Sequence, residues 1–428
     1  MSQLDQAPPP AAVAAPERPR VSKGTVASFM SAYMGAYLIL IVPLVTTLAI
    51  RVDEIAPDNR EASLGIIMGI GAMCAMVSNP IIGSLSDRTT SRYGRRRPWV
   101  VAGVLGGMLS VLVMAFGPSI VLVGLGWVLT QITMNAVLAA LAAFIPDRVP
   151  EEQRGKVSAL AGIAQQVTPL VGLAIANIAL ALGGGTVGMF LAPAFIGLVM
   201  VMIYAIRVDD PAMSAAGREP FRVLDIFKAF LFNPRQHPDF GWAWLGRFVM
   251  TLSYASLMTY QVYFINARFG IPIAEVVTIQ LAIMVMTATL LALSASVAGS
   301  LSDRFKRRKA FVFFASALIA VGHVVTAFSF SLPMFWVASA IGAIAMGAYY
   351  AVDLALITDV LPDKEGSAGK NMGIVNIANA LPQSLAPALA PFALAIGGGD
   401  ANYTALFLIA AVIGVLGALT VIPIKGVR

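Results

Sequence analysis

Two stretches of this chain carry no charge over lengths that a soluble fold rarely tolerates: residues 98–146 and 157–206. A helix crossing the hydrocarbon core of a bilayer needs about 20 residues. Each run therefore holds two crossings and a turn, at Gly117-Pro118-Ser119 in the first and Gly183-Gly184-Gly185 in the second. Unpaired backbone groups are too costly in lipid for any open structure, so the crossings are helices. Shorter charge-poor runs supply the others. Residues 24–50 and 62–86 hold spans 1 and 2, Gly241 to Asn266 holds span 7, and 276–302 holds span 8. Residues 310–352 hold span 9 and most of span 10, turned near Ser331-Leu332-Pro333, and 371–399 and 401–424 hold spans 11 and 12. The expectation is an all-α polytopic membrane protein with 12 transmembrane helices.

Composition agrees. Hydrophobic residues make up 58% and charged residues 12%, against about 25% charged in a soluble domain. The mean hydropathy is +0.82. A net charge of +7 invites a nucleic-acid reading. The basic residues instead sit in short loops beside apolar runs, where topology accounts for them, so no nucleic-acid partner is expected. Cys74 is the single cysteine, and His237 and His323 lie far apart, so neither a disulfide framework nor a metal site is expected. No nucleotide-binding fingerprint and no catalytic constellation stands out, which argues against an enzyme and against a cofactor.

Lys and Arg placement orients the chain. The tails, the connector and loops 2–3, 4–5, 8–9 and 10–11 carry 25 of the 29; Arg51, Arg60 and Arg268 lie opposite, and Arg247 falls inside span 7. Both termini and these loops are expected in the cytoplasm. The domains then read as a disordered tail (1–23, not a signal peptide), a six-helix bundle (24–206), a connector (207–240), a second bundle (241–424) and a short tail (425–428). Within the connector, Phe221 to Phe232 has the spacing of an amphipathic surface helix, or of a packed linker helix.

The halves are copies of one plan. Gly83-Ser84-Leu85-Ser86-Asp87-Arg88, followed by Arg95-Arg96-Arg97-Pro98-Trp99, recurs as Gly299-Ser300-Leu301-Ser302-Asp303-Arg304, followed by Arg307 and Arg308. Asp147 and Asp359 are separated by the same 212 positions as Trp99 and Phe311.

Gly-x-x-x-Asp-Arg with the arginine triplet resembles the signature loop of the major facilitator superfamily, and the stretch from Asn79-Pro80 to Pro98-Trp99 resembles its glycoside-pentoside-hexuronide and sucrose-transporter-like branches. The resemblance implies two pseudo-symmetric six-helix bundles, with spans 1, 4, 7 and 10 around a central cavity. It departs from sodium-coupled melibiose-type members at residues 62–86, which carry no carboxylate. It further implies a cytoplasmic latch. Asp87 would cap span 11, and Arg88 or Arg95, Arg96 and Arg97 would pair with Asp147. Asp303 would cap span 5, and Arg304 or Arg307 would pair with Asp359. These pairs would hold the outward-facing state and break on cytoplasmic opening. The alternative is plain positive-inside topology.

An ionisable group in the membrane interior costs about 2.5–3.5 kcal/mol on insertion scales, so it needs a partner or a purpose. Asp353 in span 10 and Arg247 in span 7 sit at comparable depth and make a plausible pair. Asp353 is the expected proton carrier and Arg247 its tuning partner; the alternatives are a fixed structural pair, and snorkelling of Arg247 beside Trp242 and Trp244. Tyr33 and Tyr37, Gln131 and Asn135, Tyr254 and Gln261, and Tyr350 are the candidate substrate-binding residues. Gln165, Gln166, Asn376 and Asn379 are weaker candidates, and all could equally serve helix packing. His323 reads as a packed residue and Glu275 as a solvated one. The functional expectation is a monomeric secondary transporter in contact with membrane lipids. It would move a sugar or glycoside with a proton by alternating access. A proton antiporter exporting drugs or metabolites, or a non-transporting receptor or scaffold on the same fold, are the rivals.

Overall fold

The computed structural model describes residues 20–210, 234–361, 368–398 and 401–426. Among the described residues, twelve long helical segments follow one another: α1 (Lys23–Ile55), α2 (Arg60–Asp87), α3 (Arg97–Phe116), α4 (Ile120–Arg148), α5 (Glu151–Ala181), α6 (Gly185–Arg207), α7 (Pro238–Phe269), α8 (Ile273–Phe305), α9 (Arg308–Ala327), α10 (Leu332–Asp359), α11 (Ala368–Leu394) and α12 (Tyr403–Leu419). Nine are long and apolar enough to cross a membrane on those grounds alone; α7, α11 and α12 are not among them. The shortfall in α7 reflects its polar load, with Arg247, Gln261, Asn266 and Arg268 along its length.

Local chemistry sets the ends. The Ser22 hydroxyl accepts from Thr25 N–H at 3.1 Å to start α1, and Asn402 Oδ1 accepts from Ala405 N–H at 2.9 Å to start α12. Gly270 ends α7 in the left-handed region at φ 68°. Within α1, Pro43–Thr47 forms a π-turn between two α-helical stretches, a local widening that frees carbonyls for other partners.

The packing is duplicated. Helix pairs α1–α6, α3–α4, α2–α4 and α3–α6 each have a packed counterpart six helices later, in α7–α12, α9–α10, α8–α10 and α9–α12. Two pseudo-symmetric six-helix bundles result. Small residues let the helices close up: a Cβ on either Gly35 of α1 or Gly197 of α6 would run into the other glycine's carbonyl.

The bundles meet along α2–α11 and, more lightly, α5–α8. At the end away from the repeated loops, Tyr263 Oη donates to the Ala49 carbonyl at 2.7 Å, and Thr46 Oγ1 to Gln280 Oε1 at 2.6 Å. Among the described residues, every hydrogen bond joining the bundles lies at this end, which we call the outer end. The opposite, loop end carries the repeated loops, the first described residues and the last. There Gln153 Oε1 accepts from Val21 N–H, and Lys309 donates to the Ile422 carbonyl. The expected connector helix at Phe221 to Phe232 lies outside the described residues.

Candidate functional site

Arg247 sits two and a half turns into α7, where residues 3 and 4 apart share a face. That face turns to α10 and α11. Its Nη1 donates to Asp353 Oδ2 at 2.7 Å and its Nε to Asn379 Oδ1 at 2.8 Å. The side chains are only 10% and 3% exposed, so the charges face each other and not water. Trp244, one turn earlier, donates its indole N–H to the Ile374 carbonyl at 2.8 Å and ties α7 to α11 again. Arg247 therefore does not snorkel. Asn379, a weak candidate on sequence, is its second partner.

Around the pair, Tyr254 and Tyr350 are half-buried against the same apolar cluster, and buried Tyr349 stands one turn before Asp353. The first bundle carries an aromatic ladder and a polar strip. Phe29, Tyr33 and Tyr37 follow one another at four-residue spacing on α1, with ring centroids 5.9 and 5.2 Å apart. Asn79 Nδ2 donates to Asn135 Oδ1 at 3.0 Å, and Asn135 Nδ2 in turn donates to the Gln131 carbonyl at 2.8 Å. Gln165 and Gln166 are exposed on α5. Gln261 stands apart: it is buried beside Tyr260 near the outer end, away from Arg247 by nearly four turns. The side chain of Asn376 lies outside the described residues. His323 is buried and Glu275 exposed, as expected.

At the loop end the charges pair within each bundle. Arg96 bridges Asp87, Asp147 and the Ser86 hydroxyl; Arg95 adds Asp87 at 2.6 Å and Asp147 at 3.6 Å. Arg97 turns to the end of α6 and donates to the Ile206 and Val208 carbonyls at 3.2 and 3.3 Å. Arg88 closes α2 on the Leu85 carbonyl through its backbone N–H. Asp210 accepts from Arg96 N–H and Arg97 N–H and caps α3, a role the sequence reading missed.

Two latch expectations are corrected in the second bundle. Asp359 pairs with Arg308, while Arg304 and Arg307 stay exposed. Asp303 does not cap α5: its carboxylate is 72% exposed and reaches Arg308 at 3.5 Å. Asp87 is held by Arg95 and Arg96 of its own bundle, and residues 362–367 ahead of α11 lie outside the described residues. The sequence held the signal: 212 positions beyond Arg96 is Arg308.

The outer end carries a second cluster that the sequence reading did not find. Arg60 pairs with Asp53 at 2.7 Å and Glu61 at 3.1 Å, donates to Asn266 Oδ1 at 2.9 Å, and lies 5.0 Å over the Tyr263 ring. Tyr403 Oη donates to Glu61 Oε1 at 2.8 Å. Tyr260 Oη lies 3.1 Å from the Pro387 carbonyl, which Pro391 leaves without a helical donor, and 3.2 Å from the Glu61 carbonyl. Acidic and basic groups of the first bundle thus hold tyrosines and an asparagine of the second.

A family model described as Major Facilitator Superfamily matches residues 24–295 and 243–426. A general alpha-glucoside permease of Schizosaccharomyces pombe is 30% identical over 119 residues, 24% of this chain and 22% of the permease. The match thus spans about a fifth of that relative's length. A class C tetracycline resistance protein of Escherichia coli is 26% identical over 294 residues, 65% of this chain and 67% of the relative. The crystal structure of a D-xylose-proton symporter superposes with a TM-score of 0.67 at 16% identity, over 94% of this chain and 98% of that one.

Proposed function

Because the chain belongs to the Major Facilitator Superfamily, and is thereby a multi-pass membrane transporter, we propose that it takes up a sugar or glycoside together with a proton. The Arg247–Asp353 pair carries this reading. A carboxylate sealed against one cation can exist in two forms. Ionised, it holds Arg247; protonated, it releases Nη1 while Asn379 still holds Nε. The guanidinium is then free to turn toward a solute hydroxyl without leaving the seam between α7, α10 and α11. One proton thereby changes the contacts among three helices, which is what coupling to alternating access requires.

The lining supports a polyhydroxylated solute. Ring faces at Tyr33, Tyr37, Tyr254 and Tyr350 stack on sugar rings, and Asn79, Asn135 and Gln131 offer amide donors and acceptors. The names of the alpha-glucoside permease and the xylose-proton symporter point the same way. In this reading the loop end is cytoplasmic, by the excess of Lys and Arg there. The outer cluster is the closed external gate, and the carrier is poised to exchange solute with the cytoplasm. The loop-end arginines stiffen each bundle as a rigid rocker.

The test is uphill uptake into proteoliposomes under an imposed proton gradient. Asp353→Asn should abolish accumulation of a transported sugar while leaving solute exchange at zero gradient intact. Undiminished accumulation by the variant would overturn the coupling role. A second reading, proton-driven export, is favoured by the tetracycline resistance relative, whose match covers 65% of the chain. Proton-driven depletion of solute from the compartment facing the loop end, in place of its accumulation there, would select it.

A further inference from the structure

Helices α8 and α9 follow each other in the chain but barely touch; both lean on α10 instead. The gap between them is a groove of about 1060 Å³ on the outside of the second bundle. Leu293, Val297, Phe314 and Ile344 line it and are exposed, with Phe314 69% exposed. From Leu290 to Phe305 the groove runs about 22 Å along α8 at 1.5 Å per residue. One leaflet of hydrocarbon is about 15 Å deep, so the groove accommodates the full length of an acyl chain.

Its loop-end mouth is cationic. Arg307 is part of the groove wall, and among the described residues its side chain makes no hydrogen bond or ion pair. Lys306 beside it is held at φ 51°, the one described non-glycine residue with positive φ. The first bundle places Gly94, at φ 111°, at the matching position 212 residues earlier. Glycine suits that conformation and lysine does not. The counterpart of Arg307 is Arg95, whose charge is met by Asp87 and Asp147. The same loop thus neutralises its cation inside one bundle. In the other it turns the cation out, beside a strained lysine, onto a groove fit for a hydrocarbon chain.

We propose that the α8–α9 groove is a binding site for an anionic phospholipid, with an acyl chain between the helices and the phosphate on Arg307 and Lys306. A guanidinium meets phosphate through paired N–H donors, and a headgroup with net negative charge gains where a zwitterionic one does not. A soluble phosphate lacks the chain that the groove fits.

Native mass spectrometry of the full chain, exposed to equimolar phosphatidylglycerol and phosphatidylcholine in detergent, reads the site directly. Wild type should retain phosphatidylglycerol over phosphatidylcholine by roughly thirtyfold, which is about 1 kcal/mol for each of the two basic residues near a lipid surface. Lys306→Gln with Arg307→Gln should remove that preference, and Val297→Trp, which fills the groove and leaves the charges, should reduce retention of both lipids. Arg92→Gln, on the matching loop of the first bundle, should leave the preference unchanged. An unaltered preference in the double variant would overturn the proposal. So would unaltered retention in the Val297→Trp variant, or displacement of the lipid by glycerol phosphate alone. Gel filtration and helical circular dichroism establish that each variant is folded before it is compared.

Discussion

The same six residues open two loops, and the loops end differently. In the first bundle Asp87 is drawn into a network with Arg95, Arg96, Ser86 and Asp147. In the second, Asp303 is left mostly in solvent and Asp359 pairs with Arg308. The cause is loop length. The motifs are 216 positions apart but the arginines after them only 212, so four residues are missing from the second loop. The shorter loop must turn at once after α8, through Lys306 at positive φ, and Arg307 is carried outward. Beyond the turn the two copies realign: Arg97 donates to the Ile206 and Val208 carbonyls, and Lys309 to those of Ile422 and Ile424. A repeated motif therefore specifies position more faithfully than it specifies partners.

Substitutions at matched positions break or sharpen this contrast. Unfolding in mixed micelles, titrated with sodium dodecyl sulfate, ranks them. The largest effect is expected for Arg96→Ala, which removes the more buried of the two cations shared by Asp87 and Asp147 and strips the Ser86 hydroxyl of its partner. It should lower stability by roughly 2–3 kcal/mol, below the fully buried range because Asp87 is half exposed. Arg308→Ala should lose under half as much, and equal losses would show that the two networks are equivalent after all. Next comes Gly94→Ala. The backbone there is left-handed and a Cβ would strike the Asp210 carboxylate that caps α3, so a loss of about 2 kcal/mol is expected. The opposite sign is expected at the matching position: Lys306→Gly should gain about 0.5–1 kcal/mol in lipid-free micelles. A loss there would mean that the lysine side chain supports the fold. The smallest effect is Asp303→Asn, within about 0.5 kcal/mol, whereas Asp87→Asn should cost about 1 kcal/mol or more.

Much of this architecture was legible in the residues. Charge-free runs report helices because lipid forbids charge, and the Gly and Pro turns between them fall where helices α3–α4 and α5–α6 are joined. The Arg247–Asp353 pair was legible for the same reason, since two lone charges at one depth have few choices. The outer cluster was not. Arg60 and Glu61 look like ordinary loop charges, and Tyr260, Tyr263 and Tyr403 look like aromatic packing until the bundles are brought together. The π-turn at Pro43–Thr47 was equally hidden, because π-turns have no composition of their own. Which of five clustered cations meets Asp359 depended on a loop conformation, although the 212-residue offset pointed to Arg308.

The Pro387 carbonyl has a consequence for how the outer end can part. Pro391 has no N–H to offer it, and Tyr260 of α7 in the same bundle does so instead, with the Glu61 carbonyl of the first bundle 3.2 Å from the same hydroxyl. If α2 draws away from α7 and α11, the Glu61 carbonyl loses the Tyr260 hydroxyl, and that hydroxyl and the Pro387 carbonyl lose the cover of Gly65. Stranded polar atoms of this kind are costly in a dry environment. Water is the donor small enough to follow the parting helices. Hydration of the seam and its opening are then one event, and the barrier to opening carries the free energy of bringing the first water molecules in.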